Sequence, residues 1–187
     1  MTQEWELALF QPRDAAGVVA LYREVYGESY PVAEVYDPKA LVRQEEEDVT
    51  WRAVARNHAG AVIGHIAFYR STPPNPKLYE CGQLMVCHEW RQTSVGFALM
   101  EYALAEIPRQ RGLEQIWGEA VCNHLFTQMM MTKRGYHETG LEVALMPGDA
   151  AKGGERTSTV LIFSSPGESG QTVYVPQVYQ EAFALLY

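Results

Sequence analysis

The stretch of this chain best suited to chemistry begins with a mostly apolar run, LYECGQLMV at 78–86, that has the composition of a central strand. It passes through Cys87-His88-Glu89-Trp90 into Arg91-Gln92-Thr93-Ser94-Val95-Gly96 and then an amphipathic helix. A strand that enters a helix through so short a loop presents unpaired backbone N–H groups at the positive end of the helix dipole. Such a turn is suited to hold a pyrophosphate. Ser94 and Gly96 are small enough to let phosphate oxygens reach the backbone. On its own residues the unit is an anion site, and a plain strand-to-helix turn would read the same way.

The other reactive side chains point less clearly. No two histidines stand four apart as helical metal ligands do, so His65, His88 and His124 read as core or surface residues and no metal site is expected. Cys81, Cys87 and Cys122 form no CxxC pair and read as reduced, structural thiols. Met129-Met130-Met131 reads as core packing and groove lining. The acidic run at 45–48 reads as a solvated helix end. A formal charge of -8 repels polyanions, which excludes nucleic acid as a partner, yet backbone N–H groups can still hold an anionic cofactor. No apolar run approaches the ~20 residues of a membrane span, and the opening MTQEWELALF lacks a signal-peptide pattern. A cytoplasmic protein without membrane contact is expected.

A chain of 187 residues suits one core domain, at 1–165, with a tail at 166–187. A strand at 4–10 leads to a helix with Asp14 placed to cap it. Val18, Leu21, Tyr22 and Val25 form the helix's buried stripe, and Gly27 and Pro31 end it. A second helix starts at Pro38. Runs at 50–56 and 61–70 are strands of a hairpin turning at Asn57-His58-Ala59-Gly60, and 71–77 is a loop. The helix from Val95 is ended by Pro108 and Gly112, a strand covers 115–122, and a short helix covers 124–134 before Gly135. Strands at 141–146 and 157–164 flank a glycine-rich loop at 147–155. The order is βααβββαβαββ. In the tail, 171–175 reads as a strand. Tyr179, Ala182, Phe183 and Leu186 form an apolar helical stripe that calls for a homodimer, for docking on the domain, or for a further domain beyond the chain end. The tail tyrosines 174, 179 and 187 read as a packing seam.

Arg91-Gln92-Thr93-Ser94-Val95-Gly96 resembles the Arg/Gln-x-x-Gly-x-Gly/Ala signature that the GNAT superfamily carries between its fourth strand and third helix. Ser94 stands where the first glycine is usual. The family's closing strand, short helix and Gly-Phe pair is similar to Trp117–Cys122 followed by His124 through Gly135-Tyr136. Element order matches as well, over roughly 4–164. The resemblance implies an α/β acyl-CoA N-acyltransferase fold: a mixed central sheet of about seven strands flanked by helices, here with a C-terminal strand-helix extension. It implies acetyl-CoA as cosubstrate, with Leu84, Met85 and Val86 pairing their backbone to the pantetheine arm and Arg91, Gln92, Thr93, Ser94, Val95 and Gly96 holding the pyrophosphate.

The same resemblance implies an enzyme that transfers acetyl to a small-molecule or peptide amine by direct attack in a ternary complex. Glu80, eleven positions ahead of Arg91, falls where several relatives keep their general base, with Glu119 in reserve and the N–H near Val86 as oxyanion donor. Strand alternation puts Glu80 on one face with Leu84 and Val86, and Cys81, Gln83 and Met85 on the other. Met131 occupies the position of the family's tyrosine acid, and His124, with Asn123 beside it, that of its helix-leading asparagine. These departures motivate an alternative, a CoA-binding or regulatory module that is catalytically weak or inactive. A longer acyl group is a third reading, decided by the space near Met129 and Leu84. The acceptor pocket falls at 26–42, where Tyr30, Glu34 and Tyr36 stand.

Overall fold

The computed structural model describes residues 4–70, 77–146, 154–164 and 174–186. The elements run β1 (Trp5–Leu9), α1 (Ala15–Tyr26), α2 (Pro38–Glu46), β2 (Thr50–Asn57), β3 (Val62–Tyr69), β4 (Leu78–Val86), α3 (Val95–Arg111), β5 (Gln115–Val121), α4 (Phe126–Lys133), β6 (His137–Met146), β7 (Thr157–Ser164) and α5 (Gln180–Leu186). This is the order that hydrophobic period predicts through β7. The loops expected at 71–77 and 147–155 lie mostly outside the described residues, as do the first three of the strand expected at 171–175; 174–176 are not a strand.

The strand order is β1-β2-β3-β4-β5-β7-β6, a mixed sheet of seven. β1 through β4 are antiparallel neighbours, β4 and β5 are parallel, and β6 and β7 are antiparallel. The chain gathers into two compact units, Met1–Gly118 and Glu119–Tyr187. In the first, successive residues of β3 show which helix covers which face. The His65 ring lies 5.6 Å from that of Tyr22 on α1, whereas a side chain at Gly64 would meet Leu99 and Val95 of α3. α1 and α3 therefore cover opposite faces, burying Val18, Leu21, Ile66, Phe68, Leu99 and Ile107. No described helix is long and apolar enough to cross a membrane.

Three local expectations are corrected. Pro108 does not end α3; it forfeits one N–H in the final turn, Ile107 beside it is buried, and the helix runs on to Gly112 at φ 65°. β6 starts at His137 rather than 141, because pairing of His137 with Phe163 and Glu138 with Ile162 makes a strand of residues too polar to show an apolar period. In the tail, Tyr174 and Tyr179 are exposed rather than packed in a seam.

The acidic run at 45–48 is wired into the fold rather than simply solvated. Asp48, at φ 57°, accepts from the Trp51 indole N–H at 2.6 Å and from Arg111 at 2.7 Å. Glu45 lies 3.6 Å from the buried Arg52, which also donates to the Leu41 carbonyl and to the Gln44 side chain.

The buried His65 and the half-buried Glu45 respond to pH in opposite senses. Burial lowers the His65 pKa from 6.5 to about 3, with the Arg52 charge adding to the effect. Below pH 6.5 the unfolded chain thus takes a proton that the folded one refuses, and stability falls as pH falls. Burial raises Glu45 from 4.5 to about 7 against the pull of Arg52. Between those values the folded chain holds the extra proton, and stability rises as pH falls. The two slopes oppose each other between pH 4.5 and 6.5. Glu45→Gln, which mimics the protonated acid, should uncover the His65 slope of about 1.4 kcal/mol per pH unit. Urea unfolding across that window checks this; a variant whose pH dependence matches the parent's would contradict it.

Candidate functional site

β4 carries the site, and its two halves differ. Over Leu78–Glu80 it pairs in parallel with Gln115–Trp117 of β5, and among the described residues no pair with β5 continues past Glu80. Glu80 is half-buried and stands opposite Tyr69 of β3, whose hydroxyl donates to Oε1 at 2.5 Å. A side chain at Gly82 would fall 2.7 Å from that hydroxyl oxygen, so the glycine leaves room for the phenol to lie across the strand. Burial, and then the Glu80 charge, raises the Tyr69 pKa above its ordinary 10, so the phenol stays a donor. Lys77, the surface partner that proximity would suggest for Glu80, pairs with Glu114 at 3.1 Å.

Beyond Gly82 the strand breaks step. Phe68 faces Cys81 and Ala67 faces Gly82, but His65 faces Met85 and Gly64 faces Val86. Two residues, Gln83 and Leu84, therefore oppose the single Ile66, and Gln83 adopts φ 56°. This is a β-bulge. Directly opposed residues share a face, so Met85 joins Glu80 on the α1 side while Val86 joins Gly64 on the α3 side. The plain alternation that places Val86 with Glu80, and Met85 opposite it, is overturned by this one extra residue.

The bulge also decides where the backbone points. The Cys87 N–H donates to the Ile63 carbonyl at 3.0 Å, which makes that opposition the hydrogen-bonded kind. In an antiparallel ladder the kinds alternate, so Val86, one step back, turns its N–H and C=O away from β3. The Arg91 Nε donates to that outward Val86 carbonyl at 3.2 Å.

After β4 a tight turn at His88–Trp90 leads to α3. Glu24 of α1 anchors it by accepting from the His88 N–H at 2.6 Å, with the His88 Nδ1 3.0 Å away. The Thr93 hydroxyl donates to the Trp90 carbonyl at 2.7 Å and accepts from the Val95 N–H at 3.3 Å. Ser94 sits at φ -77°, ψ 0°, which any L-residue adopts, so the backbone here does not require the missing glycine. The first bond of α3 runs from the Ala98 N–H to the Ser94 carbonyl at 2.9 Å. The Gly96 and Phe97 N–H groups carry no hydrogen bond among the described residues. Arg91, Gln92, Thr93 and Ser94 are exposed, Val95 is buried, and Leu84 and Gly96 are intermediate.

Elsewhere, Tyr22, Tyr26, Tyr30 and Tyr36 form a cluster with ring centroids 5.0 to 6.3 Å apart, and Glu34 is exposed nearby in sequence. In the second unit Glu119 is half-buried, Asn123 and His124 are exposed, and Met131 is fully buried. Sequence reasoning missed Tyr69, Gly82 and the Gln83 bulge. A glycine inside a strand is a recognised bulge signal, and Gly82 carried it.

A model of the acetyltransferase (GNAT) family matches residues 15–136. Among solved structures, a ribosomal-protein-S5-alanine acetyltransferase from Vibrio fischeri superposes with a TM-score of 0.70 at 10% identity, covering 90% of this chain and 96% of that one. An N-acetyltransferase from Staphylococcus aureus gives 0.67 at 12% identity, covering 87% and 99%. A spermidine/spermine N-acetyltransferase from Vibrio cholerae gives 0.65 at 14% identity, covering 86% and 94%. At these identities the likeness is one of fold. Comparison with curated proteins finds no match.

Proposed function

Because the chain belongs to the acetyltransferase (GNAT) family, we propose that it transfers the acetyl group of acetyl-CoA to an amine by direct attack within a ternary complex. The observation that carries this reading is the second half of β4: an outward backbone at Val86 that leads through a turn to α3, whose Gly96 and Phe97 N–H groups carry no hydrogen bond among the described residues. These donors fit the cosubstrate. Gly96, Phe97 and the exposed residues 91–94 would hold the pyrophosphate, and Leu84 to Val86 the pantetheine arm. Acetyl-CoA supplies an activated thioester: the amine nitrogen forms the new C–N bond, the C–S bond breaks, and CoA departs with the sulfur.

The remaining work falls to the chain. An alkylamine with a pKa of ~10 is protonated at neutral pH and needs a base. Glu80 would serve as that base: the Tyr69 hydroxyl donates to Oε1, and Oε2 would take the amine proton. The outward Val86 N–H would face the oxygen on which charge develops. The departing thiolate, which is only weakly basic, takes its proton from solvent. The similar structures include a ribosomal-protein-alanine acetyltransferase and a spermidine/spermine N-acetyltransferase, whose amines differ greatly in size; the class carried to this chain is therefore the amine alone.

Isothermal titration with acetyl-CoA and with free CoA tests the cosubstrate. Saturable binding of both is expected, weakened about tenfold or more by Arg91→Glu, which places a like charge beside the phosphates. No saturable binding by the parent protein would overturn the reading.

A further inference from the structure

Gln83 is held in its left-handed conformation by two side chains from other elements. The Tyr22 hydroxyl, on α1, donates to the Gln83 Oε1 at 2.7 Å. The His65 Nδ1, on β3, lies 3.2 Å from the Gln83 main-chain oxygen. A carbonyl only accepts, so the proton of this bond sits on Nδ1, and burial keeps the ring neutral, its pKa held down to about 3. Both holding residues are completely buried and pack ring to ring at 5.6 Å. Side chain and main chain of one residue are thus gripped separately.

The grip has work to do. A non-glycine residue at positive φ is disfavoured relative to an ordinary strand conformation by about tenfold. Without the extra residue, the register set by Tyr69 and Glu80 would carry on and place Val86, not Cys87, opposite Ile63. The Ile63 carbonyl now accepts from Cys87; it would then accept from Val86, and the Val86 N–H would be spent inside the sheet. One conformation at Gln83 therefore decides whether that N–H belongs to the ladder or to the open edge of β4.

We propose that Tyr22 and His65 are positioning residues that lock Gln83 into the bulge and so keep the Val86 N–H turned outward, where the acyl donor is read to lie. The function of that N–H rests on the acetyltransfer reading; the lock itself does not. Neither residue touches the reacting atoms.

Amide hydrogen exchange, followed by NMR on the full chain, reads the lock directly. In the parent protein Val86 should exchange quickly, with Met85 and Cys87 protected by β3. In the Tyr22→Phe, His65→Leu double variant, Val86 should gain about tenfold in protection and Cys87 lose it, as the register slips by one. His65→Asn, whose side-chain N–H stands near the position of the ring Nδ1–H, should keep the parent pattern. Tyr22→Phe in a Gln83→Gly background should also leave it unchanged, because glycine needs no lock. An unchanged Val86 rate in the folded double variant overturns the proposal. If that variant does not fold, Tyr22→Phe alone, which deletes a single oxygen, decides by the direction of the Val86 shift: slower exchange supports the lock and an unchanged rate overturns it. Failure of the parent to bind acetyl-CoA would instead overturn the acetyltransfer reading and leave the exchange result standing.

Discussion

Glu80→Gln is expected to lower kcat by about 10²–10⁴-fold while leaving acetyl-CoA affinity nearly unchanged. The substitution keeps the size of the side chain and an oxygen for the Tyr69 hydroxyl, which donates at 2.5 Å, but removes the lone pair basic enough to take an ammonium proton. A variant without its base depends on amine that is already neutral. Its rate should therefore climb about tenfold per pH unit toward the amine pKa, whereas the parent should be flatter near neutrality. Release of the CoA thiol over a panel of small and peptide amines measures both. A variant within a few-fold of the parent would remove Glu80 from the mechanism and make Glu119 the next residue to replace. A parent that binds acetyl-CoA but acetylates no amine in the panel would favour the alternative, a CoA-binding module without turnover.

How far these residues were legible in the sequence depends on how far away their partners lie. Val18, Leu21 and Tyr22 announce α1 because helical period is a property of neighbours, and the element order through β7 follows from such local patterns. The strand, loop and helix at 78–96 stood out for the same reason. Gln83 did not. Its conformation depends on Tyr22, 61 residues away, and His65, 18 residues away. Once the bulge is missed, strict alternation assigns Val86 to the wrong face, an error that local reasoning has no means to detect. Glu80 was found through family resemblance, but Tyr69, which orients it, comes from the neighbouring strand, and only register brings the two together. Asp14 shows the same limit. Its type and place read as a cap for α1, yet its side chain makes no cap to that helix. It accepts from the Gln11 N–H at 2.7 Å and otherwise serves a partner 42 residues away.

That partner is Arg56, and breaking the pair should be strongly destabilising. The guanidinium meets the carboxylate with both forks, Nε to Oδ1 at 2.7 Å and Nη2 to Oδ2 at 2.6 Å, and both side chains are at most 4% exposed. Asp14→Asn keeps an acceptor for Gln11 but leaves the buried cation, among the described residues, with Glu6 as its one carboxylate partner, mostly exposed and 3.3 Å away. The expected cost is about 3–5 kcal/mol, a large share of the stability of a typical domain. Chemical denaturation at neutral pH measures it. Asp14→Asn combined with Arg56→Met should cost less than Asp14→Asn alone, because no charge is then stranded and the thioether fills the arginine's place. A single-variant loss below about 1 kcal/mol would reduce Asp14 to a local turn-former. The consequence of the larger value reaches the site. Asp14 immediately precedes α1, so its bond to β2 ties the start of that helix to the sheet. The same helix carries Tyr22 two turns later, and the hydroxyl that grips Gln83 is held only as firmly as the helix that bears it.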